Sequence, residues 1–215
     1  MSLNLQKNET INLTKSLNLA KGSNGFNNVV IGLGWDVAET PAPAQKKGLF
    51  GSLFSSPSST LNTNFDLDAS VIVCRNGHYH RTVEDLIYYG HRNHDSGAII
   101  HCGDNLTGEG DGDDEEILVN FNKLPSDVDR IEVVVNIYSA TTRHQHFGMI
   151  KNAYVRLVNA DTNQEICKYN LSENYYGNIA MIFGELYKEN NEWQFKAIGR
   201  GTNDSSIEDL ADNFR

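Results

Sequence analysis

The densest group of chemically capable side chains lies between Gly103 and Glu116 (GDNLTGEGDGDDEE), where Asp104, Glu109, Asp111, Asp113, Asp114, Glu115 and Glu116 alternate with Gly103, Gly108, Gly110 and Gly112. Carboxylates crowded in this way repel one another, and a cation relieves that repulsion. The glycines let the backbone turn sharply and aim carbonyl oxygens inward. A second supply of oxygens is Phe65 to Ser70 (FDLDAS), where Asp66 and Asp68, two apart on a strand, project from one face. A donor set of oxygens without paired His or Cys points to a hard divalent cation. Calcium comes first, then magnesium or manganese, ahead of zinc or copper. The segment is not an EF-hand: counting from Asp104 puts Leu106 at a ligand position and Glu109 at the turn glycine.

Other chemistry is weaker. His144 with His146, and His78 with His80, alternate along segments read as extended, but no third His or Cys stands at ligand spacing, so they read as polar surface. His101 and Cys102 are adjacent on a strand and point to opposite faces, which rules out a nucleophilic pair. Gly32-x-Gly34 lacks the third glycine of a dinucleotide fingerprint and reads as close packing beside Trp35. Tyr88, Tyr89, Tyr175 and Tyr176 read as half-buried packing residues.

The elements that must position these groups are strands. Runs rich in Val, Ile, Tyr and Phe, bounded by Gly, Asn and Asp, occur at residues 10–14, 29–33, 66–74, 117–121, 131–138, 152–158, 165–171, 180–188 and 193–198. The turn Glu189-Asn190-Asn191-Glu192 joins the last two as a hairpin. This spacing predicts an all-β sandwich of two antiparallel sheets with a few short helices. One helix is expected in the tail, where Ile207, Leu210, Ala211 and Phe214 recur at helical intervals behind serine caps. Residues 1–215 are expected to form one domain with a flexible insertion at about 39–64, a stretch that holds all but one of the four prolines and carries a basic, aromatic tip at 46–54. A net charge of -10, from 28 acids against 18 bases, argues against nucleic acid as a partner. Three cysteines without a close pair, and no signal-peptide pattern, lead to the expectation of a cytoplasmic protein.

Four segments together, IGLGWDV (31–37), FDLDAS (65–70), GDNLTGEGDGDDE (103–115) and FGMIKNAYVRL (147–157), resemble the tellurium-resistance stress proteins of the TerD type. YNLS (169–172) and AMIFGELY (180–187) extend the resemblance, which covers roughly residues 1–38 and 65–200. It implies a calcium-binding β-sandwich with its calcium loops at one end. It also implies that Asp66 and Asp68 join Asp104, Asn105, Asp113, Asp114 and Glu115 in one or two neighbouring sites, so that two ions are expected, with the Gly108 and Gly110 carbonyls assisting. Asp36 either ligates metal or caps a turn, and Glu109, Asp111 and Glu116 set the outer field. The insertion departs from the family pattern.

The expected function is that of a calcium-binding stress-response protein, a metal-ordered binding or scaffolding module without catalytic activity. Its expected partners are calcium and either other stress-resistance proteins or the inner membrane surface. The alternatives are a calcium-dependent membrane-docking domain using the 46–54 tip and peripheral to the membrane, or a divalent-metal enzyme acting on phosphoesters.

Overall fold

Alternation of apolar and polar residues puts each strand's apolar face inward, and the computed structural model describes the result for residues 2–13, 27–37, 65–103 and 112–215. The first sheet runs β1 (Leu3–Leu5), β10 (Gln164–Asn170), β9 (Ile150–Asn159), β3 (Asn28–Val37), β7 (Glu115–Asn120) and β6 (Ile99–His101). The second runs β2 (Thr10–Asn12), β12 (Glu192–Thr202), β11 (Ala180–Glu189), β8 (Val128–Ile137), β4 (Leu67–Arg75) and β5 (Leu86–Ile87). Their inner faces meet in a core that includes Ile31, Leu33, Val71, Ile117, Val133, Leu157 and Phe183. The sandwich is as expected, with one departure: β1 pairs with β10 in parallel, Leu3 opposite Cys167. The β11–β12 hairpin turns through Asn190 and Asn191 at φ 51° and 63°, the left-handed pair that matches the twist of its strands.

β4 is buried along nearly its whole length because both its faces are covered. Leu67, Ala69, Val71 and Val73 face the first sheet, while Ile72 and Cys74 belong to a second, smaller cluster with Val134 and Ile182. The tail roofs that cluster: α2 (Ile207–Ala211) buries Ile207, Leu210 and Ala211, and the Ser206 hydroxyl accepts the Asp209 N–H at 3.1 Å as its cap. His144, expected in an extended segment, instead ends the short helix α1 (Ala140–Arg143) at φ 55°, so it does not alternate with His146 along a strand. Cys74, Cys102 and Cys167 are all free. No described helix is long and apolar enough to cross a membrane. The expected insertion at 39–64 lies outside the described residues.

Glu132 of β8 is 1% exposed on the outer face of the second sheet, with Glu185 opposite it on β11. Burial first, and the Glu185 charge second, push its carboxyl up from 4.5 to about 8. An acid with a raised folded-state value contributes fully to stability below its unfolded value and loses that contribution as the pH rises through the folded value. Glu132→Gln is therefore expected to raise the melting temperature by a few degrees at pH 8 to 9, with the gain vanishing near pH 4.5 in scanning calorimetry.

Candidate functional site

Three successive carboxylates hold the exit of the acidic segment, each through a different strand. Asp113 folds back onto the outer face of the first sheet, where Arg156 Nε donates to both its oxygens at 2.8 and 2.9 Å and Tyr154 Oη lies 3.0 Å from Oδ1. Asp114 accepts the Trp35 backbone N–H at 3.0 Å. Glu115, on the inner face, accepts the Ala69 N–H of the opposite sheet at 2.5 Å. The entrance is held at the same residue: His101 Nε2 lies 3.1 Å from the Ala69 carbonyl and must be the donor, because a carbonyl only accepts. β5 is too short to cover β4 at Ala69, so two side chains from the first sheet bond that strand's backbone instead.

Gly32 and Gly34 explain how the outer face receives these groups. A Cβ on Gly32 would overlap the Asp113 carboxylate, and one on Gly34 would lie 2.5 Å from the Tyr154 ring. The Tyr154 hydroxyl also donates to the Gly112 carbonyl at 2.7 Å. Burial, and then the Asp113 charge, hold that phenol well above its ordinary value, so it stays protonated and able to donate. The close-packing reading of the glycine pair is therefore right, with Asp113 and Tyr154 as the packed groups.

Beside this junction a cavity of about 490 Å³ is lined by Asp36, Asp114, Asn152, Asn170, Tyr154 and Lys168. A bulge in β3 between Gly34 and Asp36 brings Asp36 to its rim, where Asn152 donates to Oδ2 at 2.7 Å. The donors are the right kind for a hard cation: two carboxylates and two amide oxygens, next to Gly112 of the acidic segment. They fall short of the six to eight oxygens calcium takes. The Lys168 ammonium, 3.4 Å from the centre of the Tyr154 ring, is the one cationic group among the described residues lining the cavity.

The resemblance-implied ligands thus divide. Asp36 and Asp114 share the cavity, Asp113 is engaged by Arg156 beside it, and Glu115 lies between the sheets. Asp66 and Asp68 are on the outer face of the second sheet, with Arg143 3.7 Å from Asp66 and the Asn136 amide 3.3 Å from Asp68. Asp104, Asn105, Gly108 and Gly110 lie outside the described residues. Among the described residues no three His, Cys, Asp or Glu side chains converge as a complete metal site. Sequence reasoning passed over Tyr154, Arg156, Asn152, Asn170 and Lys168. Their alternation along β9 and β10 was the available signal, but it shows only which face they share.

Comparison with known proteins agrees over the whole chain. The TerD domain model matches residues 1–214. The chain is 39% identical to stress response protein SCP2 of Bacillus subtilis, covering 100% of both chains. It is 38% identical to tellurium resistance protein TerD of Serratia marcescens, covering 94% of this chain and 91% of that one. Its fold superposes on a crystal structure of a homologue of the telluride resistance protein TerD from Streptomyces coelicolor with a TM-score of 0.60, at 19% identity, covering 87% of this chain and 96% of that one.

If Gly32 exists to admit Asp113, the two positions are coupled. Gly32→Ala is expected to destabilise strongly in the natural background and much less beside Asp113→Ala. The coupling in a urea-denaturation double-mutant cycle should be about 1–3 kcal/mol.

Proposed function

The chain belongs to the TerD domain family of tellurium-resistance and stress-response proteins, and we propose that it serves there as a calcium-ordered binding module. The observation that carries this reading is the convergence of Asp36 and Asp114, from separate parts of the chain, with Asn152 and Asn170 on one cavity at the end of the acidic segment. Calcium bound there would take Asp36 and Asp114 as its fixed carboxylates. Asp104, Asn105 and carbonyls of the Gly108–Gly110 stretch are the natural donors for the rest of its shell. Asp113 and Glu115, bonded to protein donors, would hold the exit in place, and Asp66 and Asp68 are not part of this set. Drawing the repelling carboxylates around an ion would give the segment one shape, and a partner stress protein would read that shape; the role is binding, without turnover. Three free cysteines support a cytoplasmic setting.

An ion that binds only the folded state stabilises it by mass action. Calcium is expected to raise the melting temperature and chelator to reverse the rise, with the response lost in the double variant Asp36→Asn, Asp114→Asn. The asparagines keep an acceptor for the Trp35 N–H and so preserve the fold. An unchanged melting curve in calcium and in chelator overturns the proposal. Since the Lys168 ammonium opposes the ion, Lys168→Met is expected to tighten calcium binding about threefold or more in titration calorimetry.

A further inference from the structure

A second cavity, of about 340 Å³, opens on the outer face of the second sheet between β4, β8 and the start of α2. Three tyrosines form its walls: Tyr88 and Tyr89, packed edge to face with ring centres 5.4 Å apart, and Tyr138. Two carboxylates line it, Asp68, which is 4% exposed, and Glu208 in the first turn of α2. No Lys, Arg or His is among the described residues lining it. Ser70, 1% exposed, lines it as well, and its hydroxyl has no hydrogen-bond partner among the described residues.

We propose that this cavity binds the ammonium or guanidinium group of an organic cation. Buried acid, aromatic faces and an unused hydroxyl together suit a positively charged group with N–H donors and an alkyl stem. The acids attract the charge, the ring faces carry the negative side of their quadrupoles, and the serine accepts an N–H. An anion would meet two like charges, and a bare metal ion gains little from tyrosine ring faces. The chain already makes the same combination next door. The Arg143 guanidinium lies 5.2 Å from the centre of the Tyr138 ring and 3.7 Å from Asp66, two residues before Asp68. The volume suits a diamine or a single arginine or lysine side chain, at the small end of the range of about 300–1,000 Å³ for ligand sites. This inference is independent of calcium at the other cavity, which lies on the opposite outer face.

The test is an NMR titration of the whole chain, in calcium and separately in chelator, with putrescine for a free polyamine, N-acetylarginine amide for a partner's side chain, and glycerol as a neutral control. At least one cation is expected to bind and to shift the Ser70 and Tyr89 amides while glycerol does not, and the tighter probe identifies the source. Tyr89→Leu is expected to weaken binding about fivefold or more and Glu208→Gln about threefold. Both residues are exposed, so melting temperatures should hold, and Asp114→Asn should leave binding unchanged. The proposal is overturned if neither cation binds at about 10 mM, a concentration that detects even weak millimolar affinity. It is also overturned if Tyr89→Leu binds as tightly as the natural chain, or if calcium displaces the probe.

Discussion

The structure depends on how three adjacent carboxylates are spent. Asp113, Asp114 and Glu115 follow a run of acids that by charge alone would push the chain apart, yet each is bonded to a fixed donor on a different strand: Arg156 of β9, the Trp35 N–H of β3 and the Ala69 N–H of β4. Hydrogen bonds to a charged group contribute about 1.5–3 kcal/mol each. Removing a donor would also weaken the compensation of a buried carboxylate, because the Asp113 side chain is only 2% exposed and Glu115 is 2% exposed. The last of the three bonds crosses between sheets, so the acidic segment's exit is tied to both halves of the sandwich. His101 ties its entrance to the same Ala69.

Much of the remaining sequence is arranged to make those bonds possible. Gly32 and Gly34 leave the first sheet bare where Asp113 and Tyr154 must lie flat against it, while Ile31 and Leu33 between and beside them fill the core. The β3 bulge then brings Asp36 to the rim rather than continuing the strand's alternation. One short motif, GLGWD, thus supplies a core strand, a landing place for the tether and a carboxylate for the cavity. Asp114 is at once a tether and a lining group of the cavity, so the clamped exit and the proposed calcium site share that carboxylate.

The strands were legible because alternation and β-branched residues mark them directly, and the Asn190-Asn191 turn because left-handed pairs favour asparagine. The parallel pairing of β1 was not, since three residues carry too little pattern to fix a direction. The acidic segment and Asp36 were conspicuous as oxygen donors, but spacing cannot separate a carboxylate that ligates from one that accepts a backbone N–H. Glu115 looks like its neighbours in sequence and differs from them only in facing inward. Asp66 and Asp68 share a face as the alternation required, but which outer surface that face belonged to depended on the pairing of β4 with β8. Tyr88 and Tyr89 read as half-buried packing; Tyr88 is half-buried, but the exposure of Tyr89 and the place of both rings beside Asp68 emerge only when the tail helix is in place.

The most direct measurement is a crystal structure of the calcium-loaded chain, with the ion located by anomalous scattering. The expected result is an ion at the rim of the first sheet with Asp36 and Asp114 oxygens in its shell at about 2.3–2.6 Å and the Asp113–Arg156 pair intact. An ion held by Asp66 and Asp68 without either rim carboxylate, or none bound at saturating calcium, would contradict it.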